Sequence, residues 1–323
     1  KNSRNRNNNS FACMNYDYIA VIGATATGKT NLAVKIASMV DGEIISCDSR
    51  QVYKGMDIGS GKDLDAYNTP KGKIPYHLID ILEPSQDYSV FHFLEDFHRC
   101  FFDIKSRGKV PVLCGGTYMY FTALFLRYGL VKVDDLEDKA TKLLEIDHEK
   151  LIEELKELNP LLHNRTDLTE HFKTAKALVI ARESQRYETE HGITYRPIEL
   201  RPLVIATQVS REEFYKRIRL RLSERLREGL VDEVRALMNS GLTDERLDYF
   251  GLEYKFAGRY LRSELSKNDM IQRLVNAINE YAKKQLTGIS KLERNGIEVN
   301  WIPPEEISTV KDLLEESGFP IVE

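Results

Sequence analysis

No run of apolar residues in this sequence approaches the roughly 20 that a membrane-spanning helix needs. The longest are strand-sized, such as "YIAVI" at 18–22, so the chain reads as a soluble, non-membrane protein. Cysteine is scarce: Cys13, Cys47, Cys100 and Cys114 form no CxxC pair and have no histidine at zinc-ligand spacing. That excludes a zinc site and a disulfide scaffold, and the thiols read as reduced and cytoplasmic. A strong charge of either sign is also missing. The net charge of −4 argues against wholesale coating of nucleic acid, while leaving room for a local basic groove. No internal repeat is present. Residues 1–10, "KNSRNRNNNS", have no apolar period and predict a disordered tail reaching to about residue 16. No apolar segment of a secretory signal follows, and Met14 is a candidate natural start.

What is there is ordinary in composition and particular in order. The 323 residues are 42% hydrophobic and 30% charged, close to average globular usage. That length suits one large α/β domain with an insertion, or two domains. "YIAVIG" (18–23), "EIISC" (43–47), a weaker "YHLIDIL" (76–82), "VPVLCGGT" (110–117) and "PLVIATQV" (202–209) read as strands. Between them, "TNLAVKIASMV" (30–40) has apolar residues at helical spacing. In 90–108, Val90, Phe93, Phe97, Phe101 and Ile104 make one helical stripe closing on Gly108. Alternating strands and helices predict an α/β fold, a parallel sheet with helices on both faces. Residues 131–198 turn to charged, helix-forming sequence and predict a helical insertion within a core made of 17–130 and 199–323. Ser210 and Glu213 form a capping-box pattern opening a helix that ends at Gly229. A long helix over about 268–294 follows, and "EVNWI" (298–302) is a candidate last strand.

Ligands of such sheets bind beyond the carboxyl ends of the strands. This rule gathers residues 23–30, Asp48 and residues 115–117 into one place. In "GATATGKT", Gly23, Gly28, Lys29 and Thr30 fill the pattern GxxxxGK[ST]. Its glycines let backbone N–H groups wrap a diphosphate, its lysine brings a mobile positive charge, and its hydroxyl ligates Mg2+. The core is therefore expected to be P-loop NTPase-like, although "VPVLCGGT" lacks the strand-end acid that organises magnesium in nucleotide hydrolases. Asp80 is a possible substitute or a turn residue. Asp48 is open to two readings, a general base beside the diphosphate or an N-cap for "SRQVY". Arg217, Arg221 and Arg225 share one helical face. They are either a solvated stripe or forks for phosphate oxygens. Cys47 and Cys114 fit the role of small buried hydrophobes.

Taken together, "GATATGKT", "DSRQVY" (48–53), "HLID" (77–80), "GGTYMYFTAL" (115–124), "RIRLRLSERLREGLVDEV" (217–234) and "YAKKQLT" (281–287) resemble the tRNA dimethylallyltransferase family in order and spacing. The resemblance spans about residues 17–302. It implies that Gly23, Ala24, Thr25, Ala26, Thr27, Gly28, Lys29 and Thr30, with Arg217 and Arg221, hold the diphosphate of dimethylallyl diphosphate. Mg2+ would sit at Thr30. The prenyl group would move to N6 of an adenosine in the anticodon loop of a tRNA. Asp48 would accept the proton and Thr117 would position Asp48 or the adenine. Asp48, Ser49, Arg50 and Gln51 would touch the target nucleotide, the helical insertion would grip the stem, and the enzyme would act as a monomer. Three segments depart from the family pattern: Tyr118 and Met119 stand where Gly-Leu is usual, "DIGSGKDL" (57–64) replaces Ile-Gly-Thr-Ala-Lys-Pro, and Gly288-Ile289-Ser290 replaces Trp-Phe-Arg. The last change keeps a free adenine nucleotide open as an alternative acceptor. A P-loop small-molecule kinase and a non-catalytic RNA-binding protein are the more distant alternatives.

Overall fold

A computed structural model describes residues 16–126, 133, 135–158, 168, 170–191 and 199–322. The expected N-terminal tail, with Cys13, lies outside the described residues but for Tyr16. The chain divides into two compact units, Lys1–Leu126 with Leu200–Glu323, and Arg127–Glu199.

The first unit is built on a six-stranded sheet in the order β5-β2-β6-β1-β7-β8. All its pairings are parallel. β1 (Tyr18–Ile22), β2 (Gly42–Cys47) and β6 (Val110–Gly115) are buried at every position. β7 (Pro202–Thr207) is buried but for its first residue. That explains the continuous apolar runs: strands covered on both faces need no polar alternation. β8 (Val299–Ile302) closes one edge.

The other edge departs from expectation. The predicted strand over 76–82 shrinks to β5 (Tyr76–His77). The backbone turns left-handed at Leu78 (φ 63°) and Asp80 (φ 57°), which no strand residue can adopt. β5 is held by the His77 imidazole on Glu43 of β2 at 2.8 Å. Before it, a 3-10 turn (Leu64–Tyr67) leads into the small hairpin β3 (Asn68–Thr69) and β4 (Gly72–Lys73).

Helices cover the sheet. α1 (Lys29–Met39) buries Leu32, Ala33 and Ile36. α2 (Val90–Ser106) buries Phe93, Phe97, Phe101 and Ile104, with Ser89 and His92 closing a reciprocal cap at its start. α3 (Tyr118–Phe125) follows β6 directly. In the second unit α4 (Leu136–Leu143), α5 (His148–Leu158) and α6 (His171–His191) share a small core of Ala140, Leu151, Leu155, Ala175, Leu178 and Val179.

After β7 come α7 (Arg211–Glu228), α8 (Leu230–Asn239), α9 (Asp244–Phe250), α10 (Leu252–Leu261), α11 (Lys267–Arg294) and α12 (Ile307–Glu316). The capping box expected for α7 forms by half. The Ser210 hydroxyl accepts the Glu213 N–H at 3.3 Å, but the Glu213 carboxylate turns to Arg217 instead of Ser210. An arginine fork outcompetes one exposed backbone N–H. Among the described residues no helix is long and apolar enough to cross a membrane.

Candidate active site at the carboxyl edge of the sheet

β1, β2 and β6 end side by side, so their following loops meet. A cavity of about 190 Å³ is lined by Thr25, Lys29 and Thr30 from the first loop, by residues 48–51 from the second and by residues 115–117 from the third. Arg221 and Arg225 of α7, Glu253 of α10, and Tyr281 and Gln285 of α11 are also among its lining residues. A second space of about 370 Å³ shares Lys29, Thr30, Arg221 and Arg225 and is bordered by Ala26, Gly28, Asp63 and Arg217.

The first loop is shaped by its own side chains. Gly28 caps α1 with φ 86°, a conformation that penalises any Cβ. Any side chain on Gly23 would overlap the Thr207 hydroxyl. Thr27 is buried, donates to the Ala24 carbonyl at 2.8 Å and shares a hydrogen bond of 2.6 Å with Thr207. Gly23, Ala24 and Thr27 thus build the loop from below, whereas Thr25, Lys29 and Thr30 face the cavity. Ala26 is a non-glycine residue held at φ 61°. The Lys29 ammonium folds back onto the Ala24 carbonyl at 2.5 Å. Burial pulls its pKa down to about 8, with Arg221 pushing the same way and Cys114 and Asp48 opposing.

In the second loop, Asp48 Oδ1 accepts the N–H of Arg50 at 2.8 Å and that of Gln51 at 3.4 Å. Asp48 therefore does cap the turn after β2, and it does so with one oxygen. Ser49 donates its N–H to Thr117 Oγ1 at 3.1 Å. Arg50 stacks over the Tyr249 ring, 4.6 Å from its centroid. The Gln51 amide accepts from Ser46 Oγ at 2.8 Å and donates to the Gly61 carbonyl at 3.0 Å.

The double glycine of the third loop has a steric cause. A side chain on Gly115 would overlap the Cys47 carbonyl, and a Cβ on Gly116 would stand 2.6 Å from Gln285 Nε2. Gln285 is a residue whose role the motif spacing did not reveal. Its amide accepts the Thr25 N–H at 2.9 Å and donates to the Gly116 carbonyl at 2.8 Å. Cys114 lines the cavity, but burial pushes its thiol up to about 12; it stays protonated and inert, as a small hydrophobe would.

The arginine stripe is no solvated face. Exposure of the side chains falls from 31% at Arg217 to 28% at Arg221 and 10% at Arg225. Arg217 pairs with Glu213 at 2.9 Å, Arg221 with Asp63 at 3.0 Å and Arg225 with Glu253 at 3.0 Å. Burial, with Arg225 adjacent, lowers the pKa of Arg221. Among the three, Arg225 has the most structural setting, because it also donates to the Gly59 carbonyl at 3.4 Å.

Two further anchors escaped sequence reasoning. Lys62, 1% exposed, donates to the Tyr53 carbonyl at 2.8 Å, to Asp57 at 2.6 Å and to Asp80. Asp80 is thus an ion-pair and turn residue. Glu233 accepts three consecutive backbone N–H groups, from Asp57 at 2.9 Å, Ile58 at 2.7 Å and Gly59 at 3.0 Å. Tyr254 donates to the same carboxylate at 2.8 Å. No local pattern announces either contact.

The IPP transferase family model matches residues 51–291, and the isopentenyl transferase model matches residues 16–69. The chain belongs to the IPP transferase family. A relative from Pelobacter propionicus named tRNA dimethylallyltransferase 2 is 45% identical over 288 residues, covering 89% of this chain and 90% of its own. Another from Syntrophus aciditrophicus, tRNA dimethylallyltransferase 1, is 43% identical over 297 residues, covering 92% and 97%. Among solved structures of this family, the tRNA isopentenylpyrophosphate transferase of Bacillus halodurans superposes with a TM-score of 0.65 at 28% identity, over 93% of this chain and 96% of its own. A eukaryotic dimethylallyltransferase acting on tRNA shares the fold, with a TM-score of 0.69 at 22% identity over 95% of this chain and 81% of its own.

Proposed function

We propose that this IPP transferase family member moves a dimethylallyl group from dimethylallyl diphosphate to N6 of an adenosine in the anticodon loop of a tRNA, releasing diphosphate. One observation carries the reading: the phosphate-loop residues Lys29 and Thr30 line the same cavity as Asp48 and Thr117. Donor and acceptor chemistry thereby share one chamber.

In the transfer, N6 attacks the allylic carbon, the carbon–oxygen bond to the diphosphate breaks with its electron pair, and the N6 proton passes to Asp48. Both backbone bonds to Asp48 fall on Oδ1, which reserves Oδ2 for the proton. An allylic carbon tolerates developing positive charge, so the protein mainly aligns the reactants and neutralises the leaving group. Lys29 can exchange the Ala24 carbonyl for a phosphate oxygen, and Arg221, with Arg217 further out, adds guanidinium charge. Thr117 holds the Asp48 turn through Ser49. Residues 48–51 border the target nucleotide, which must leave the loop stack to enter the cavity.

Among the described residues no group of three or more His, Cys, Asp or Glu side chains is arranged for a metal ion. The Thr30 hydroxyl on the cavity wall fits a Mg2+ ion carried mostly by substrate phosphate oxygens and water. Such an ion supplies Lewis-acid neutralisation of the diphosphate. The unit of residues 127–199 is assigned to the anticodon stem. All assigned groups lie in one chain, which supports action as a monomer, and a tRNA acceptor fits a cytoplasmic location.

The relatives named for tRNA, together with the helical unit a small acceptor would not need, favour tRNA over a free adenine nucleotide. The pairing of Asp80 with Lys62 speaks against Asp80 as a magnesium-organising acid of the hydrolase kind. The test is incubation with magnesium and labelled dimethylallyl diphosphate, offering unmodified tRNA and AMP in parallel. Label is expected in tRNA and absent with Asp48→Asn, which keeps the turn-capping oxygen but loses the base, a loss of about 10²-fold or more. Label in AMP alone, or transfer by Asp48→Asn at the wild-type rate, overturns the reading.

A further inference from the structure

α11 touches both halves of the site, and it does so at two positions on one face. Gln285 is 7% exposed in the helix interior. Both ends of its amide are used, Oε1 by the Thr25 N–H of the phosphate loop and Nε2 by the carbonyl of Gly116. The Thr25 N–H is thus given to a helix side chain. Three residues on, Gly288 is buried. Glycine inside a 28-residue helix is disfavoured by propensity, so a packing cause is expected. The cause is Tyr118: a Cβ on Gly288 would stand 2.5 Å from Tyr118 Cδ2 and 2.6 Å from its Cγ. The ring rests directly on the helix backbone. Tyr118 begins α3 immediately after Thr117, whose hydroxyl holds the Ser49 N–H.

The two exceptional residues of the sequence, a bulky Tyr118 after the double glycine and a side-chain-free Gly288 in α11, are therefore one contact. No side chain at 288 is compatible with the ring at its present place. The contact and the Gln285 bridge lie one helical turn apart, and both act on the segment 116–118.

We propose that α11 is a spacer that fixes the phosphate loop against the Asp48 turn, with Gln285 and the Tyr118–Gly288 seat as positioning elements for the transfer. The proposal rests on the reading of the cavity given above and adds how its two sides are held at reacting distance. A rigid bracket matters here because transfer needs the donor carbon and N6 in line, and small misplacements are costly.

The experiment compares the wild type with Gln285→Met, which keeps volume and loses both bonds, and with Tyr118→Ala and Tyr118→Phe. Backbone hydrogen exchange is followed by mass spectrometry in peptides covering residues 23–30 and 47–51, alongside single-turnover transfer to tRNA at saturating substrates and steady-state kinetics that give the KM for each substrate. Gln285→Met and Tyr118→Ala are expected to speed exchange about tenfold in both peptides while β1 and β6 keep their protection. The single-turnover rate should fall about 10- to 100-fold with each KM held within about threefold, and Tyr118→Phe should restore the wild-type rate. Unchanged exchange in either peptide, a loss confined to one KM, or faster exchange throughout the sheet overturns the spacer. If the wild type itself fails to modify tRNA, the functional reading falls, and the exchange measurement still decides the spacer.

Discussion

Thr117 Oγ1 accepts the backbone N–H of Ser49 at 3.1 Å, tying the end of β6 to the turn after β2 one residue beyond Asp48. Thr117→Val keeps the shape and removes the acceptor, leaving a part-buried N–H unsatisfied at a cost of about 1 kcal/mol or more. The expected result is a kcat lowered about tenfold, with Thr117→Ser close to wild type. Steady-state kinetics on both variants check this; equal activity of Val and wild type would remove Thr117 from the positioning role.

On the proposed reading, Lys29 should make donor binding depend on pH. Its ammonium, held down to about 8 chiefly by burial, is lost in the free protein as pH rises through that value, so diphosphate affinity should weaken above it. Bound diphosphate favours the charged form, and binding near pH 8 should take up protons. The unfolded lysine keeps its proton up to its ordinary 10.5. Between the two values the unfolded chain binds more protons, and this group's contribution to stability therefore rises with pH. Calorimetric titration of inorganic diphosphate in two buffers of different ionisation enthalpy measures the uptake. No uptake in the wild type, or the same uptake in Lys29→Met, contradicts the assignment.

Arg221 and Arg217 should not be equivalent. Each has an acidic partner, Asp63 for Arg221 and Glu213 for Arg217, but Arg221 borders both cavities whereas Arg217 reaches only the outer one. Arg221→Ala is expected to raise KM for dimethylallyl diphosphate about tenfold or more, and Arg217→Ala by only about two- to threefold, given the strength of charge-assisted bonds. Reversal of that order in steady-state kinetics would place the diphosphate on the outer side.

Asp80 and Lys62 supply a stability test independent of catalysis. Lys62→Met leaves Asp57 and Asp80, whose side chains are 61% and 36% exposed, in contact with water. Asp80→Ala instead leaves a buried ammonium short of a partner. Asp80→Ala should therefore be the more destabilising, by about 1–3 kcal/mol against wild type. Urea unfolding midpoints decide it, and a more stable Asp80→Ala than Lys62→Met would refute the buried-cation argument.

The parts legible in the sequence are those whose signal is local. The phosphate-loop spacing, the strand ending at Asp48 and the double glycine each fit within a few residues, and parallel topology brings them together. The stretch 76–82 misled because apolar periodicity is blind to the left-handed turns at Leu78 and Asp80, the second of which pairs with Lys62 from outside the stretch. Gln285 and Thr25 are 260 residues apart, and no pattern within "YAKKQLT" says where the amide points. The arginine stripe was visible as a face of α7; its graded burial was not, because that depends on Asp63 and Glu253 from other segments.

The Glu233 carboxylate has a consequence for anion selectivity. Three successive N–H groups at 57–59 turned toward one point make a concavity of the kind that captures free phosphate. The chain plugs this concavity with its own carboxylate, a built-in competitor that no dissolved anion can dilute away. On the proposed reading, a diphosphate directed to the loop of residues 23–30 meets no competing cluster of free N–H groups at 57–59.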